Sequence, residues 1–105
     1  MKSEKFEEIL SERIRKIKNI LASKADEYGS VDRLHNFKVA ARLNHESPLD
    51  SAWGMATKHL VCIVDMVKGD SPITPYMVDE KIGDMINYLI LIEAICLEQI
   101  EERSD

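Results

Sequence analysis

The stretch MINYLILIEAICL, residues 85–97, decides how this chain folds. A helix with this sequence is apolar on almost every side, and such a helix is buried over most of its surface. Asn87, Tyr88 and Glu93 interrupt the stretch, and it is too short to cross a bilayer as a helix. It therefore predicts the central helix of a soluble fold rather than a membrane anchor.

Turn and capping signals outside this stretch predict three further helices. Apolar residues recur at steps of three and four from Phe6 onward, which is typical of an amphipathic helix. Ser30 and Ser47 are good N-caps, and Pro48 suits a first helical turn. The predicted helices span about residues 4–28, 31–43, 48–68 and 75–101. Since no strand pattern is convincing, we expect residues 1–105 to form one all-α domain, a four-helix bundle.

The length of the chain predicts self-association. A chain of 105 residues buries only a modest core. Residues 85–97 are more apolar than three neighbouring helices can cover. We therefore expect the bundle to be completed by a second subunit in a homo-oligomer, a dimer or a tetramer.

Charge and cysteine content limit the class of protein. The net charge is −5 and there is no long basic run, which argues against duplex nucleic acid or an anionic membrane as the main partner. Cys62 and Cys96 lie in apolar runs, where buried free thiols are expected in a reducing compartment. The N-terminal MKSEKFEE lacks the apolar segment of a secretory signal, so we expect a cytoplasmic protein.

Near the start of the fourth predicted helix, polar residues follow a helical spacing. Glu80, Asp84 and Asn87 are related as i, i+4 and i+7, so they share one face. Two carboxylates one turn apart can bind a hard cation such as Mg²⁺, which prefers oxygen ligands. The alternative is structural, because the helix dipole alone favours acidic residues near an N-terminus. A core asparagine can likewise serve only to set the register of packing.

The third predicted helix carries a second set of polar residues. Lys58 and Asp65 are seven residues apart, on the same side as Ser51 and Gly54 and opposite Trp53. Small residues on this side would let a ligand or another backbone come close. The alternative is an ordinary solvent-facing side, with Trp53 and its apolar neighbours turned to the core.

A third cluster lies around the first predicted turn. It contains Lys24, Asp26, Tyr28, Arg33 and Asn36. An arginine can hold a phosphate through two hydrogen bonds, an amide can recognise a base or sugar, and an aromatic ring can stack. The same residues also suit an ordinary corner between two helices, and the sequence leaves both interpretations open.

Most common catalytic motifs are missing from the sequence. There is no GxxxxGK[ST] phosphate loop, no GxGxxG fingerprint and no GxSxG elbow. His35, His45 and His59 do not have metal-ligand spacing, so structural or surface roles are expected for them.

Residues 80–89, EKIGDMINYL, resemble a segment of a known enzyme superfamily. The matching pattern is E-E-[IL]-G-D-[VL]-[LI]-x-Y-L, found in the MazG-like all-α NTP pyrophosphohydrolases. The upstream segments K-x-D-E-Y-G-S…R-L-x-N-F and W-x-M-x-x-K-H…D-M-V resemble a phage-associated offshoot. Its members are small proteins named for their association with nucleotide-modification genes. Together the similarity covers about residues 20–97.

The resemblance implies a fold, an activity and a cofactor. MazG-like proteins are helical bundles that usually form oligomers. They hold Mg²⁺ with carboxylates from two adjacent helices and split a nucleoside triphosphate into a monophosphate and pyrophosphate. For this chain, the resemblance implies a cytoplasmic Mg²⁺-dependent hydrolase that acts on (deoxy)nucleotides.

The resemblance also implies roles for individual residues. Glu80 and Asp84, with Asp65, are the implied Mg²⁺ ligands, and Glu80, Asp84 and Lys58 are the implied catalytic group. Lys58 would neutralise phosphate charge. The implied substrate-binding residues are Lys24, Asp26, Tyr28, Arg33, Asn36 and Asn87.

Two departures from the family pattern motivate an alternative. The position of the second glutamate, a metal ligand in the family, is Lys81 here, and the third predicted helix has no ExxE pair. The alternative is a non-catalytic helical module that binds a nucleotide or another protein.

Overall fold

In a computed structural model, the described part of the chain comprises residues 1–28 and 32–104, and the side chains of residues 23–28 lie outside this description. This part contains helices and turns but no strand, so the predicted all-α class with four helices is confirmed. The elements are α1 (Ser3–Tyr28), α2 (His35–Asn44), α3 (Pro48–Lys68), α4 (Pro75–Met77), a π-helical turn (Val78–Ile82) and α5 (Gly83–Ser104). The last three follow one another without a break, and we call them together the C-terminal helix.

Local capping chemistry fixes the start of α3 and of the C-terminal helix. Ser47 Oγ accepts a hydrogen bond from the Asp50 N–H at 3.0 Å, and the Asp50 carboxylate accepts one from the Ser47 N–H at 3.3 Å. Thr74 Oγ1 accepts from the Met77 N–H at 3.1 Å. Gly69 ends α3 with φ of 81°, a left-handed conformation that glycine adopts without strain. The predicted bounds of α3 are confirmed.

The start of α2 differs from the prediction. The helix begins at His35 rather than near residue 31, and the predicted cap Ser30 lies outside the described residues. Leu34 occupies the N-cap position without a side-chain hydrogen bond, and its carbonyl accepts from the N–H groups of Phe37 and Lys38, each at 3.1 Å. Because Leu34 is buried, apolar contact rather than a capping hydroxyl positions this end of the helix.

The chain divides into two compact units, Met1–Arg33 and Leu34–Asp105. The first unit contains α1, whose apolar residues Phe6, Leu10 and Ile14 are exposed. Its surface carries ion pairs between neighbouring turns, such as Lys5 with Glu8 at 3.7 Å. The expectation of a single domain stays a prediction.

The second unit has a small core formed by α2, α3 and α5. Its centre is a cluster of buried residues with further apolar side chains packed against it. The buried members are Leu34, Phe37, Ala52 and Ile95, and the half-buried ones are Leu49, Met55, Tyr88, Leu91 and Ile92. Ala52 and Ala56 are fully buried on α3, and such small side chains allow a neighbouring helix to approach closely.

The face of α3 that is buried is not the one that the sequence predicts. Trp53 is 50% exposed and Val67 is 81% exposed, whereas Ser51 is buried. Gly54 faces open space, as the solvent-facing alternative expects, since a Cβ atom built there would meet nothing within 4 Å. Ala56, on the predicted apolar face, is buried. The prediction is wrong for Trp53, Val67 and Ser51, because α3 is apolar on several sides and apolar periodicity does not fix which side turns inward.

None of the described helices has the length and apolar character needed to cross a membrane.

Candidate functional site

The C-terminal helix is not a regular α-helix along its whole length. Residues Val78–Ile82 form a π-helical turn, so the expectation of one α-helix over residues 75–101 is wrong here. Turns of this kind are rare and frequently occur at functional sites. Both Glu80 and Lys81 lie in the turn, which leads directly into Gly83 and Asp84. The irregular part of the helix therefore coincides with the acidic residues that the sequence singles out.

Asp84 lies beside a histidine of α3. The π-helical turn and α5 both pack against α3. Asp84 Oδ2 is 3.8 Å from His59 Nδ1, and the two side chains are 34% and 19% exposed. This separation is too long for a hydrogen bond. The two groups are thus close neighbours with no hydrogen bond between them.

Two further residues of α5 surround this pair. The rings of Tyr88 and His59 are 5.5 Å apart between centroids and inclined by 31°. Burial, and to a lesser extent the negative charge of Asp84, raise the pKa of the Tyr88 hydroxyl above its ordinary value. Asn87 is only 7% exposed and lies three residues after Asp84. The α3–α5 interface is therefore polar around His59 and Asp84.

Several buried polar atoms have no hydrogen-bond partner within the described part of the chain. They include His59 Nδ1 and Asn87 Oδ1 in the polar region, and Ser51 Oγ near the start of α3. Buried polar groups in proteins are nearly always paired, so each exception needs an explanation. Two of these atoms belong to residues around Asp84, and this region is the candidate functional site.

The remaining predicted ligands and the predicted lysine are on the same two helices. Glu80 and Asp65 are half-buried, and Lys58 is exposed on α3. Across residues 1–28 and 32–104, no three histidine, cysteine, aspartate or glutamate side chains come together as a group that could hold a metal ion. The structure therefore does not present Glu80, Asp84 and Asp65 as a preformed three-ligand site.

The predicted substrate-binding cluster is only partly described. The Arg33 guanidinium donates a hydrogen bond to the Leu21 carbonyl within the first unit. Asn36 is exposed on α2 in the second unit. The side chains of Lys24, Asp26 and Tyr28 lie outside the described residues. Their common role in binding a nucleotide stays a prediction.

His59 and Tyr88 were not among the residues that the sequence singled out for the site. The sequence predicts only a structural or surface role for His59. A signal for its position exists, because residues 52, 56, 59, 63 and 66 follow the steps of four and three that define one helix face. Ala52, Ala56 and Met66 on that face are buried. The spacing therefore places an ionisable side chain among buried neighbours.

The chain matches no protein-family model, and neither a curated protein nor a solved structure matches it significantly.

Proposed function

We propose that this protein is an Mg²⁺-dependent nucleoside triphosphate pyrophosphohydrolase of the MazG-like, phage-associated kind that acts on (deoxy)nucleotides. The observation that supports the proposal is the position of Asp84. Its carboxylate is half-buried in the interface between α3 and the C-terminal helix, next to His59. A carboxylate on open surface would have no enclosed partner groups, whereas this one lies beside the half-buried imidazole of His59 and close enough to Tyr88 to affect its hydroxyl.

Glu80 and Asp84 are the residues that would hold the cation, with Asp65 on the adjacent helix. Their carboxylates supply the oxygen atoms that Mg²⁺ prefers. Each is partly exposed, so a hydrated ion can reach them. Proteins usually bind Mg²⁺ through one or two carboxylates together with waters and substrate phosphates, so a full set of protein ligands is not required. When bound, the cation would supply positive charge at the phosphate oxygens.

Other side chains would bind and orient the nucleotide. Lys58 is exposed on α3, from where its ammonium group can neutralise phosphate charge. The unpaired Asn87 Oδ1 can accept a hydrogen bond from a sugar hydroxyl or a base. The Tyr88 hydroxyl is protonated at neutral pH, because the ordinary tyrosine pKa is about 10 and burial raises the pKa of Tyr88 further, so it can donate a hydrogen bond. We also propose nucleotide-binding roles for Lys24, Asp26, Tyr28, Arg33 and Asn36, as the sequence predicts.

A direct assay tests this function. The purified full chain is incubated with Mg²⁺ and each ribo- and deoxynucleoside triphosphate, including base-modified ones, and released pyrophosphate is measured. We expect Asp84→Asn to lower the rate by about 100-fold or more, the loss typical when a group that stabilises transition-state charge is removed. Asp70→Asn, an exposed aspartate after α3, is the matched control and should retain the wild-type rate. The absence of pyrophosphate across the whole panel would rule out the proposal.

A second candidate is a non-catalytic module that binds a nucleotide or assembles with another protein. It is favoured by an exposed apolar face on α5. Leu89, Ile90, Leu97 and Ile100 lie on one side of this helix and are exposed. Glu93 also lies on this side, between Leu89 and Leu97. Exposed large apolar residues that share one helix face are typical of interaction sites, and a second copy of the chain is the partner that we propose. Thermal stabilisation by a nucleotide that needs neither Mg²⁺ nor Asp84 would favour this candidate, and light scattering measures the assembly.

A further inference from the structure

We propose that His59 is itself a ligand of the divalent cation bound at Asp84, and that the site consequently prefers a first-row transition ion such as Mn²⁺ to Mg²⁺. This inference rests on the cation site of the proposed function. It goes further by adding a nitrogen ligand to that site and by changing the ion that the site selects.

The distance between the two side chains supports a shared ion. His59 Nδ1 and Asp84 Oδ2 are 3.8 Å apart, beyond hydrogen-bond range. In zinc sites, imidazole nitrogen and carboxylate oxygen lie about 2.0–2.2 Å from the ion, so two such ligands of one ion are at most about 4.4 Å apart. The observed separation is therefore compatible with one ion that contacts both atoms without a large movement of either helix.

The unpaired atoms around the pair provide independent support. His59 Nδ1 is buried and has no hydrogen-bond partner, although it faces a carboxylate. Asn87 is more than nine-tenths buried, and its Oδ1 is also unpaired. Because Asn87 follows Asp84 by three residues on a regular helix, the two side chains are neighbours on one face. An ion at this position would give the nitrogen a partner, and the ion or a water bound to it would give one to the amide oxygen.

The chemistry of the ligands determines which ion binds. Imidazole nitrogen suits first-row transition ions, and Mg²⁺ is bound almost entirely by oxygen. Carboxylates suit Mg²⁺, Ca²⁺ and Mn²⁺ alike. A site with one imidazole and one carboxylate therefore favours a first-row transition ion over Mg²⁺. Mn²⁺ is the weakest binder of that series and so gives the most stringent test of this preference. The other two histidines, His35 and His45, are exposed on α2 and in the following turn, so they serve as controls.

The test uses the metal-free full chain with Mn²⁺ or Mg²⁺ as the only added ion. Binding is measured by calorimetry, and nitrogen coordination by electron spin-echo spectroscopy of bound Mn²⁺, which detects coupling to imidazole nitrogen. We expect Mn²⁺ to bind at least about tenfold more tightly than Mg²⁺, and nitrogen coupling to be present. His59→Gln should weaken Mn²⁺ binding by about 10- to 100-fold or more, since the loss of even an outer partner of a ligand has such an effect.

The ratio of the Mn²⁺ and Mg²⁺ affinities shows whether His59 binds the ion or has only a structural role. General damage to the site would lower Mn²⁺ and Mg²⁺ affinity together, whereas loss of a nitrogen ligand should remove the preference for Mn²⁺ and the nitrogen coupling. His35→Gln should change neither. If His59→Gln does not fold, the presence or absence of nitrogen coupling in the wild-type chain decides whether His59 is a ligand.

The failure of this inference and the failure of the proposed function have different signatures. Mn²⁺ bound without nitrogen coupling, or an unchanged preference in His59→Gln, would overturn the role of His59 even if pyrophosphate is released. Nitrogen coupling in a chain that hydrolyses no nucleotide would support the role of His59 and reject the hydrolase. A chain that binds neither ion overturns the inference.

Discussion

The two ends of the interface between α3 and the C-terminal helix differ in their chemistry. At one end, Ala52 and Ile95 are 0% and 3% exposed and belong to the apolar core. At the other end, His59 and Asn87 hold buried polar atoms without partners, next to the Asp84 carboxylate. The apolar end stabilises the fold, whereas unpaired buried atoms reduce stability. One unpaired oxygen, Ser51 Oγ, also lies at the apolar end, but only the polar end has unpaired atoms beside a carboxylate, so we assign the candidate site to the polar end.

The largest effect is expected at the apolar end. Ile95→Ala should lower the free energy of unfolding by about 2–5 kcal/mol, because it leaves a cavity in a small core. Urea-induced unfolding followed by circular dichroism measures the change. Ile100→Ala is the matched control on the same helix, because Ile100 is 60% exposed, and its effect should stay within about 0.5 kcal/mol. If both variants lost the same free energy of unfolding, the apolar end would not be the part of the interface that stabilises the fold.

At the polar end, we expect a substitution to raise the free energy of unfolding rather than to lower it. Asn87→Leu replaces a buried amide with an unpaired oxygen by an apolar side chain of similar size, so the free energy of unfolding should rise by about 1 kcal/mol. The rate of pyrophosphate release should fall in the same variant. Asn36→Leu, at an exposed position on α2, should change stability by less than about 0.5 kcal/mol. A destabilised Asn87→Leu would mean that the amide is important for packing, and the contrast between the two ends would disappear.

The smallest effect concerns the ionisation of Tyr88. Its pKa is raised in the folded chain, so the unfolded state loses this proton first as the pH increases. The stability that Tyr88 contributes is complete below the ordinary tyrosine pKa of about 10 and is lost as the pH rises through the higher folded value. Tyr88→Phe should remove this alkaline dependence from the unfolding curves.

Asp84→Asn should lower the pKa of Tyr88 only part of the way, because burial, the larger cause of the shift, remains. The pKa of Tyr88 is obtained by following tyrosinate absorbance against pH and subtracting the signal of the same chain with Tyr88→Phe. An unchanged pKa in Asp84→Asn would show that the carboxylate does not act on the hydroxyl, and that the two groups are farther apart in solution.

Local chemistry made the helices predictable from the sequence. Ser47, Asp50 and Gly69 act within a few residues of their own position, so the bounds of α3 follow directly from their order in the chain. The buried side of α3 was not predictable in this way. It depends on which helices pack against α3, and small residues such as Ala52 face inward while Trp53 remains exposed. The start of α2 depends likewise on the burial of Leu34 in a core formed by distant parts of the chain.

In the candidate site, too, some features follow from the local sequence and others depend on how the helices pack. The spacing of Glu80 and Asp84 is visible in the sequence because both residues lie on one helix. The proximity of His59 is not, because it depends on how α3 aligns with the C-terminal helix. Ala52 shares the core cluster with Ile95, and His59 lies beside Asp84, so the two helices run antiparallel and this alignment sets the pairing.

The π-helical turn at Val78–Ile82 adds one residue to the winding of the C-terminal helix. Deleting one residue from this turn should restore regular α-helical winding, while α5 keeps its packing against α3. Glu80 and Lys81 lie inside the turn and Asp84 lies after it, so such a deletion would change the direction of Glu80 relative to Asp84. A change of one residue in chain length could therefore reposition one carboxylate against the other without any substitution in α3.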